Sequence, residues 1–159
     1  MTAASTAHYW LMKSEPAEAS IDDLARAPQQ ILPWTGVRNY QARSFMRDGM
    51  QPGDGVLFYH SSCPQPGIAG LARIAGRVTP DSTQFDPASP YFDAKSSPDA
   101  PRWLQIAVSL ERKTRLLSLA EMRSTPELAS LQVLRRGNRL SITPVTADEW
   151  QAVLALLGN

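Results

Sequence analysis

The alternation of apolar and polar positions divides the chain into short elements of changing period. His8-Tyr9-Trp10-Leu11-Met12-Lys13 is an aromatic-rich run that reads as a first strand. It stops at Ser14-Glu15-Pro16, because proline lacks a ladder donor and biases the residue before it away from helix. Ser20 then precedes Ile21, Leu24 and Ala25 at helical spacing, with Asp22 and Asp23 in the first turn, which predicts a short capped helix ended by Pro28. A loop through Trp34 leads to Asn39, placed to cap a second helix whose buried stripe is Ala42, Phe45 and Met46 and whose stop is Gly49. Residues 56–60 form a strand with Val56, Phe58 and His60 on one face and Leu57 and Tyr59 on the other.

The second half continues in the same mixed style. A third strand runs from residue 68 to about 78, and its glycines, Gly70 and Gly76, predict bends or bulges. Residues 79–102 are rich in Pro, Asp and Ser yet contain Phe85, Tyr91 and Phe92, so this long connection reads as ordered and functional. Residues 103–108 alternate as a strand that continues toward Arg112. Ser118 with Glu121 forms a capping box, and Thr125-Pro126 opens another short helix. Residues 139–143 are a last strand closed by Pro144, and Thr146 with Glu149 caps a final helix presenting Trp150, Val153, Leu154 and Leu157 before Gly158. Strands and helices do not alternate regularly, which argues against a doubly wound parallel sheet. The expectation is an α+β domain, a small mixed β-barrel of curved strands with short helices at its periphery, over residues 8–158. Residues 1–7 read as a flexible lead without the basic region and apolar core of a signal peptide.

Composition narrows the function classes. The chain has 159 residues, 43% hydrophobic, with a formal net charge of +1, so it is neither a polybasic nucleic-acid coat nor an acidic tail. Charge is nevertheless uneven. Residues 80–100 carry Asp81, Asp86, Asp93 and Asp99, whereas Arg102, Arg112, Lys113, Arg115, Arg123, Arg135, Arg136 and Arg139 make the next stretch basic. A local basic face of this kind can hold phosphate, and a merely solvated surface accounts for it equally well. The single cysteine, Cys63, excludes an intramolecular disulfide and suits a reducing compartment, with the cytoplasm as the default. No apolar run reaches the roughly 20 residues of a membrane span.

Candidate chemistry concentrates in Trp34-Thr35-Gly36-Val37-Arg38-Asn39-Tyr40-Gln41-Ala42-Arg43. A flat aromatic beside a permissive glycine, two guanidinium groups and an amide suits a planar hydrogen-bonding ligand such as a nucleobase. A helix opening at Arg38-Asn39 would also aim backbone N–H groups at whatever lies above Trp34. The same residues admit a plainer reading, in which Trp34 packs under a loop, Arg38 is solvated and Asn39 caps the helix. Lys13-Ser14 and His60 end two strands and could reach a shared cavity, although a solvated lysine, a turn serine and a satisfied histidine also explain them. Two histidines and one cysteine do not make a closed zinc site, and no cofactor-binding glycine loop is present. Cys63 lies three residues after His60, but no third group is evident to orient the imidazole for nucleophilic catalysis.

Several long ungapped stretches resemble the EVE domain family: Tyr9-Trp10-Leu11-Met12-Lys13-Ser14-Glu15-Pro16, Trp34 with residues 36–43, Phe58-Tyr59-His60-Ser61, Gly67-Ile68-Ala69-Gly70, Pro101-Arg102-Trp103 and residues 139–145. The resemblance spans nearly the whole chain. It implies a PUA-like fold, kinship with the YTH domain, and a role in reading modified bases, chiefly modified cytosines in DNA, with RNA the other candidate partner. By analogy with the YTH motif, Lys13 and Ser14 fall at a first-strand end and Trp34 at a cage tryptophan. The implied base-binding set is Lys13, Ser14, Trp34, Val37, Arg38, Asn39, Tyr40, His60 and Ser61, with Arg43, Arg135, Arg136 and Arg139 toward the phosphate backbone, and neither a metal nor a cofactor. Where many members read His-Ser-Asn, this chain has His60-Ser61-Ser62, so a contact from that amide is lost or replaced. The expected function is a non-catalytic reader of a modified base. The alternatives are an enzyme on a nucleotide-like substrate using His60, Asp54 or Cys63, and a small-molecule module using the same pocket. The oligomeric state is left open.

Overall fold

The computed structural model describes residues 8–158, so the flexible lead expected over residues 1–7 lies outside the described residues. The strands are β1 (Tyr9–Ser14), β2 (Ile31–Trp34), β3 (Gly55–His60), β4 (Gly67–Ile74), β5 (Thr79–Pro80), β6 (Leu104–Ser118) and β7 (Ile142–Val145). The helices are α1 (Ile21–Arg26), α2 (Tyr40–Ser44), which runs on into a π turn at Phe45–Gly49, α3 (Leu119–Arg123) and α4 (Ala147–Leu157). The strands form one mixed sheet in the order β2-β6-β4-β3-β1-β7, with β5 paired to β6 outside that path. The β1–β3 pair is parallel and the others are antiparallel. No described pairing joins β2 to β7, so the sheet remains open along this path where a closed barrel was expected.

Local chemistry explains most elements. Ser20 caps α1 by accepting from Asp23 N, while the Asp23 carboxylate accepts from Ser20 N. Thr146 and Glu149 form the same reciprocal box at α4, and Gly158 closes that helix at φ 73°. Ser118 caps α3 alone, because Glu121 turns its carboxylate to Arg115 instead of back to the cap. Gly70 sits within the register shifts of the β4–β6 ladder, where a Cβ would come within 2.5 Å of Ile21 and 3.0 Å of the Arg112 carbonyl. Gly76 lies beyond the end of β4 in open space, so the third strand is shorter than its glycine pattern predicts.

Two strand assignments differ from expectation for one reason. The stretch through Trp34 was expected to be loop and the last strand to close before Pro144, yet Pro33 lies inside β2 and Pro144 inside β7. These are the two end strands of the sheet, each paired on one side only, and an edge strand tolerates a missing N–H that a central strand does not. Trp34 is therefore the last residue of an edge strand, opposite Ile106, and not a loop residue.

Two hydrophobic clusters cover the sheet. Val56 and Phe58 join the first, with Trp10, Met12, Ile21, Leu24, Trp34 and Met46. Leu57 and Tyr59 join the second, with Leu11, Leu71, Met122, Leu131 and Trp150. The period-two pattern of β3 thus separates the two clusters as expected. Trp10 lies within the first cluster because its indole N–H reaches the buried Asp54 at 3.0 Å, which also accepts from Gln51 N at 2.8 Å. Asp54 is a structural acceptor here.

Candidate functional site

The parallel pairing of β1 with β3 places their C-terminal ends side by side, with Ser14 opposite His60 and Ser61 N donating to Ser14 O at 2.9 Å. A cavity of about 590 Å³ opens at this rim. Lys13, Ser14, Glu15 and Glu18 approach from the end of β1, and Ser61 and Ser62 from the end of β3. Leu32, Trp34, Val37, Phe58 and Val108 supply apolar wall, and Arg139, Ser141 and the segment at Ser89-Pro90-Tyr91 close the circuit. Trp34 is 9% exposed and meets the Phe58 ring edge-on at 5.1 Å. Lys13 forms no ion pair among the described residues, and burial lowers its pKa. The Ser14 hydroxyl donates to Ala19 O at 2.6 Å and so keeps only acceptor capacity for a ligand.

The wall beside Trp34 is held from the long 79–102 connection. Asp81, fully buried, accepts from Gly36 N at 2.8 Å, Arg38 Nη1 at 3.1 Å, Thr83 N at 2.7 Å and Thr83 Oγ1 at 2.5 Å. Arg38 also donates to Tyr91 O through Nε at 3.2 Å and Nη2 at 2.6 Å. This clamp sets the Tyr91 ring against Gly36, where a Cβ would lie 2.9 Å from the ring; Gly36 also has φ 82°, so glycine is required on both counts. Across the mouth, the Tyr91 hydroxyl donates to Glu18 at 2.5 Å. Burial first, then the Glu18 carboxylate, push the Tyr91 phenol up to about 12.

Of the residues expected to contact a base, Lys13, Ser14, Trp34, Val37 and Ser61 line this cavity, together with Arg139 from the expected phosphate-binding set. The others lie elsewhere. Arg38 stands behind the wall with its guanidinium committed to Asp81, Tyr91 O, Thr83 and Val37 O, so it is neither a solvated nor a free edge-reading group. Asn39 caps α2, accepting from Ala42 N at 3.0 Å. No residue of that helix lines the cavity, so the expected aim of its N-terminus at a ligand above Trp34 is not met. Tyr40 and Arg43 lie outside, where Arg43 donates to Arg102 O at 2.8 Å. His60 lines a different hollow of about 460 Å³ with Ile21, Asp22, Cys63 and Lys113. Its Nε2 accepts from Ile21 N at 3.1 Å, and burial lowers its pKa against the opposing pull of Asp22. Arg135 and Arg136 are exposed on the turn after Leu134 and do not line the cavity.

Sequence reasoning missed Asp81, Glu18 and Ser62. The unusual length of the 79–102 connection and its aromatics pointed to Tyr91 without saying what it touches. Ser62 has φ 55°, a left-handed conformation that asparagine adopts more readily than serine. Among the described residues no group of three or more His, Cys, Asp and Glu is arranged to hold a metal. No helix of the described residues is long and apolar enough to cross a membrane.

A mixed sheet thus carries a cavity of mixed apolar and polar lining at the paired ends of two parallel strands. The chain belongs to the EVE domain family, whose model matches residues 8–156. Human thymocyte nuclear protein 1 is 41% identical over 165 residues, covering 93% of this chain and 73% of the human one. The crystal structure of the human THYN1 protein in complex with 5-methylcytosine containing DNA superposes with a TM-score of 0.89 at 40% identity, covering 96% of this chain and 99% of that one. A YTH domain of Zygosaccharomyces rouxii, solved with N6-methyladenosine RNA, shares the fold at a TM-score of 0.58 and 11% identity, over 100% of this chain and 89% of that one. The vertebrate relatives are named as nuclear proteins, so they lend no support to the cytoplasmic expectation.

Proposed function

We propose that this protein is a non-catalytic reader that takes one modified base of a nucleic acid, a modified cytosine of DNA first among them, into the cavity floored by Trp34. The observation that carries the reading is the cavity itself: Trp34, Phe58 and Val37 offer apolar surface, while Lys13 and the hydroxyls of Ser14 and Ser61 stand at one rim. The human relative crystallised with 5-methylcytosine containing DNA supports the ligand class. A methylated base presents the matching pair of faces, an alkyl group for the apolar wall and a hydrogen-bonding edge for the rim.

Magnitudes decide what else is needed. Stacking a base on an aromatic contributes about 1–3 kcal/mol, and taking it out of a duplex costs a few kcal/mol. Stacking alone therefore cannot hold a flipped base. Edge hydrogen bonds from Lys13 and Ser61 and to the Ser14 hydroxyl oxygen, and phosphate contacts from Arg139 at the rim with Arg135 and Arg136 nearby in sequence, supply the surplus. Phosphate contacts make the affinity fall with salt.

The test is anisotropy of labelled oligonucleotides carrying cytosine, 5-methylcytosine, 5-hydroxymethylcytosine or N6-methyladenine, at two salt concentrations, with wild type and Trp34→Phe. Phenylalanine keeps an aromatic in the core, where alanine at this near-buried position would cost about 3–5 kcal/mol. The expected result is a severalfold preference for one modification that Trp34→Phe weakens. Equal binding of every oligonucleotide would sink the base reading and direct attention to small metabolites on the same cavity.

A further inference from the structure

Outside the cavity, side chains from three separate segments stand in file. The Arg38 guanidinium lies 5.4 Å from the centroid of Tyr91, the cavity wall, and 5.4 Å from that of Trp103. Trp103 stacks on Tyr40 at 4.9 Å with an interplanar angle of 25°. The Arg43 guanidinium lies 4.7 Å from the Tyr40 centroid. The file thus leads from the cavity wall to solvent, since Trp103 is 6% exposed and Tyr40 52%.

Three features separate this arrangement from a solitary surface tyrosine. Its base is immobile: the Trp103 indole N–H donates to Asp93 at 2.8 Å, and its backbone is gripped on both sides by the buried Gln84. Tyr40 is one of the two exposed large hydrophobic side chains among the described residues, and it is the one stacked on Trp103. Finally, Arg43 forms no direct ion pair among the described residues: its Nη1 donates to the Arg102 carbonyl, and Asp48 feels its charge only at longer range. A rigidly seated, half-exposed aromatic beside a guanidinium without a direct ion-pair partner matches a planar group on an anionic backbone.

We infer that Tyr40, seated on Trp103 with Arg43 beside it, is a second stacking site, outside the cavity, for an unpaired nucleobase of the same strand. The inference rests on the nucleic-acid reading of the cavity but not on its preference for a modification. Every base has a π-face, so this site adds affinity without discriminating among bases, and it favours single-stranded or locally opened nucleic acid over intact duplex. Arg43 supplies a phosphate contact or a stacking plane of its own.

The experiment compares wild type, Tyr40→Phe, Tyr40→Leu and Tyr40→Ala for binding to labelled single-stranded and duplex DNA, each with and without 5-methylcytosine, after melting curves show the variants folded. Tyr40→Leu keeps an apolar cover over Trp103 and removes only the π-face, which separates stacking from structural support. Expected is a loss of about tenfold in single-strand affinity for the Leu and Ala variants, an unchanged ratio of modified to unmodified binding, and near-wild-type binding for Tyr40→Phe. Wild-type affinity in Tyr40→Leu and Tyr40→Ala would overturn the inference, as would loss of the modification preference in either. If no modification preference exists in any protein but Tyr40→Leu still weakens single-strand binding, the cavity reading fails and the stacking site stands.

Discussion

The two hollows are of similar size, about 590 Å³ and 460 Å³, yet their lysines are in opposite states. Around the smaller, His60 accepts from Ile21 N, and Asp22 and Lys113 pair with each other at 2.5 Å. Around the larger, Lys13 is unpaired among the described residues, and burial already disfavours its charge. A half-buried amine without a counter-ion costs stability in the free protein and repays it only when a ligand arrives. The lesson is that a residue of reactive type does not mark a site. His60 and Cys63 are the more reactive pair, but the cavity with unmet hydrogen-bonding capacity is the better candidate for recognition.

The comparison breaks most severely at Asp81, which shapes the larger cavity from behind. Asp81→Ala leaves Arg38, Gly36 N and Thr83 N without their buried acceptor, and a loss of about 3 kcal/mol is expected in urea unfolding, with the Tyr91 wall released. Asp81→Ala melting like wild type would show that the clamp is dispensable.

A smaller effect belongs to the other hollow. His60→Ala removes the acceptor for Ile21 N, a loss of about 1 kcal/mol near neutral pH. The pH dependence has a definite sign. Burial depresses the folded pKa of His60, so the neutral ring favours the fold, and its contribution is present above the unfolded value of about 6.5 and fades as pH falls through the lower folded value. Melting temperatures between pH 7 and 5 should therefore fall less steeply in His60→Ala than in wild type, with oligonucleotide binding unaltered. A binding defect in that variant would return His60 to the ligand site.

Lys13 is expected to behave in the reverse way. Lys13→Met, similar in shape, should raise stability by about 0.5–1 kcal/mol while weakening binding to the preferred oligonucleotide. Stability and binding falling together would mean that Lys13 is structural. The smallest effect is at Ser62, where Ser62→Asn relieves the left-handed backbone by about 0.5 kcal/mol and places an amide side chain on a cavity-lining position. A lower melting temperature in this variant would deny the backbone argument.

Local rules reached most of the elements. The caps at Ser20 and Thr146, the alternation through β3 and the Asn39 cap are each decided within a few residues, by one hydrogen bond or by strand geometry. Pro144 misled because proline's missing donor excludes a central strand, and only the order of strands reveals that β7, like the Pro33-bearing β2, is an edge. The candidate site divided likewise. Lys13, Ser14, Trp34, Val37 and Ser61 converge because they sit at or just beyond strand ends that the sheet brings together. Arg38 belonged to the right segment with the wrong task, since nothing within residues 34–43 announces that Asp81, over forty residues away, will claim its guanidinium.

By itself the sequence determined the period of each segment, its caps and breaks, the two-faced β3 and, through extended matches, the EVE family, because these depend on neighbouring residues or on long runs of them. Only the tertiary structure decided which polar groups are satisfied and which remain free to meet a ligand. That distinction separates His60 from Lys13, the Arg38 clamp from Arg43 beside the exposed Tyr40, and the two hollows from each other. A hydrogen bond between distant segments forms only after the sheet has set their register, so it leaves no local pattern by which it could be read beforehand.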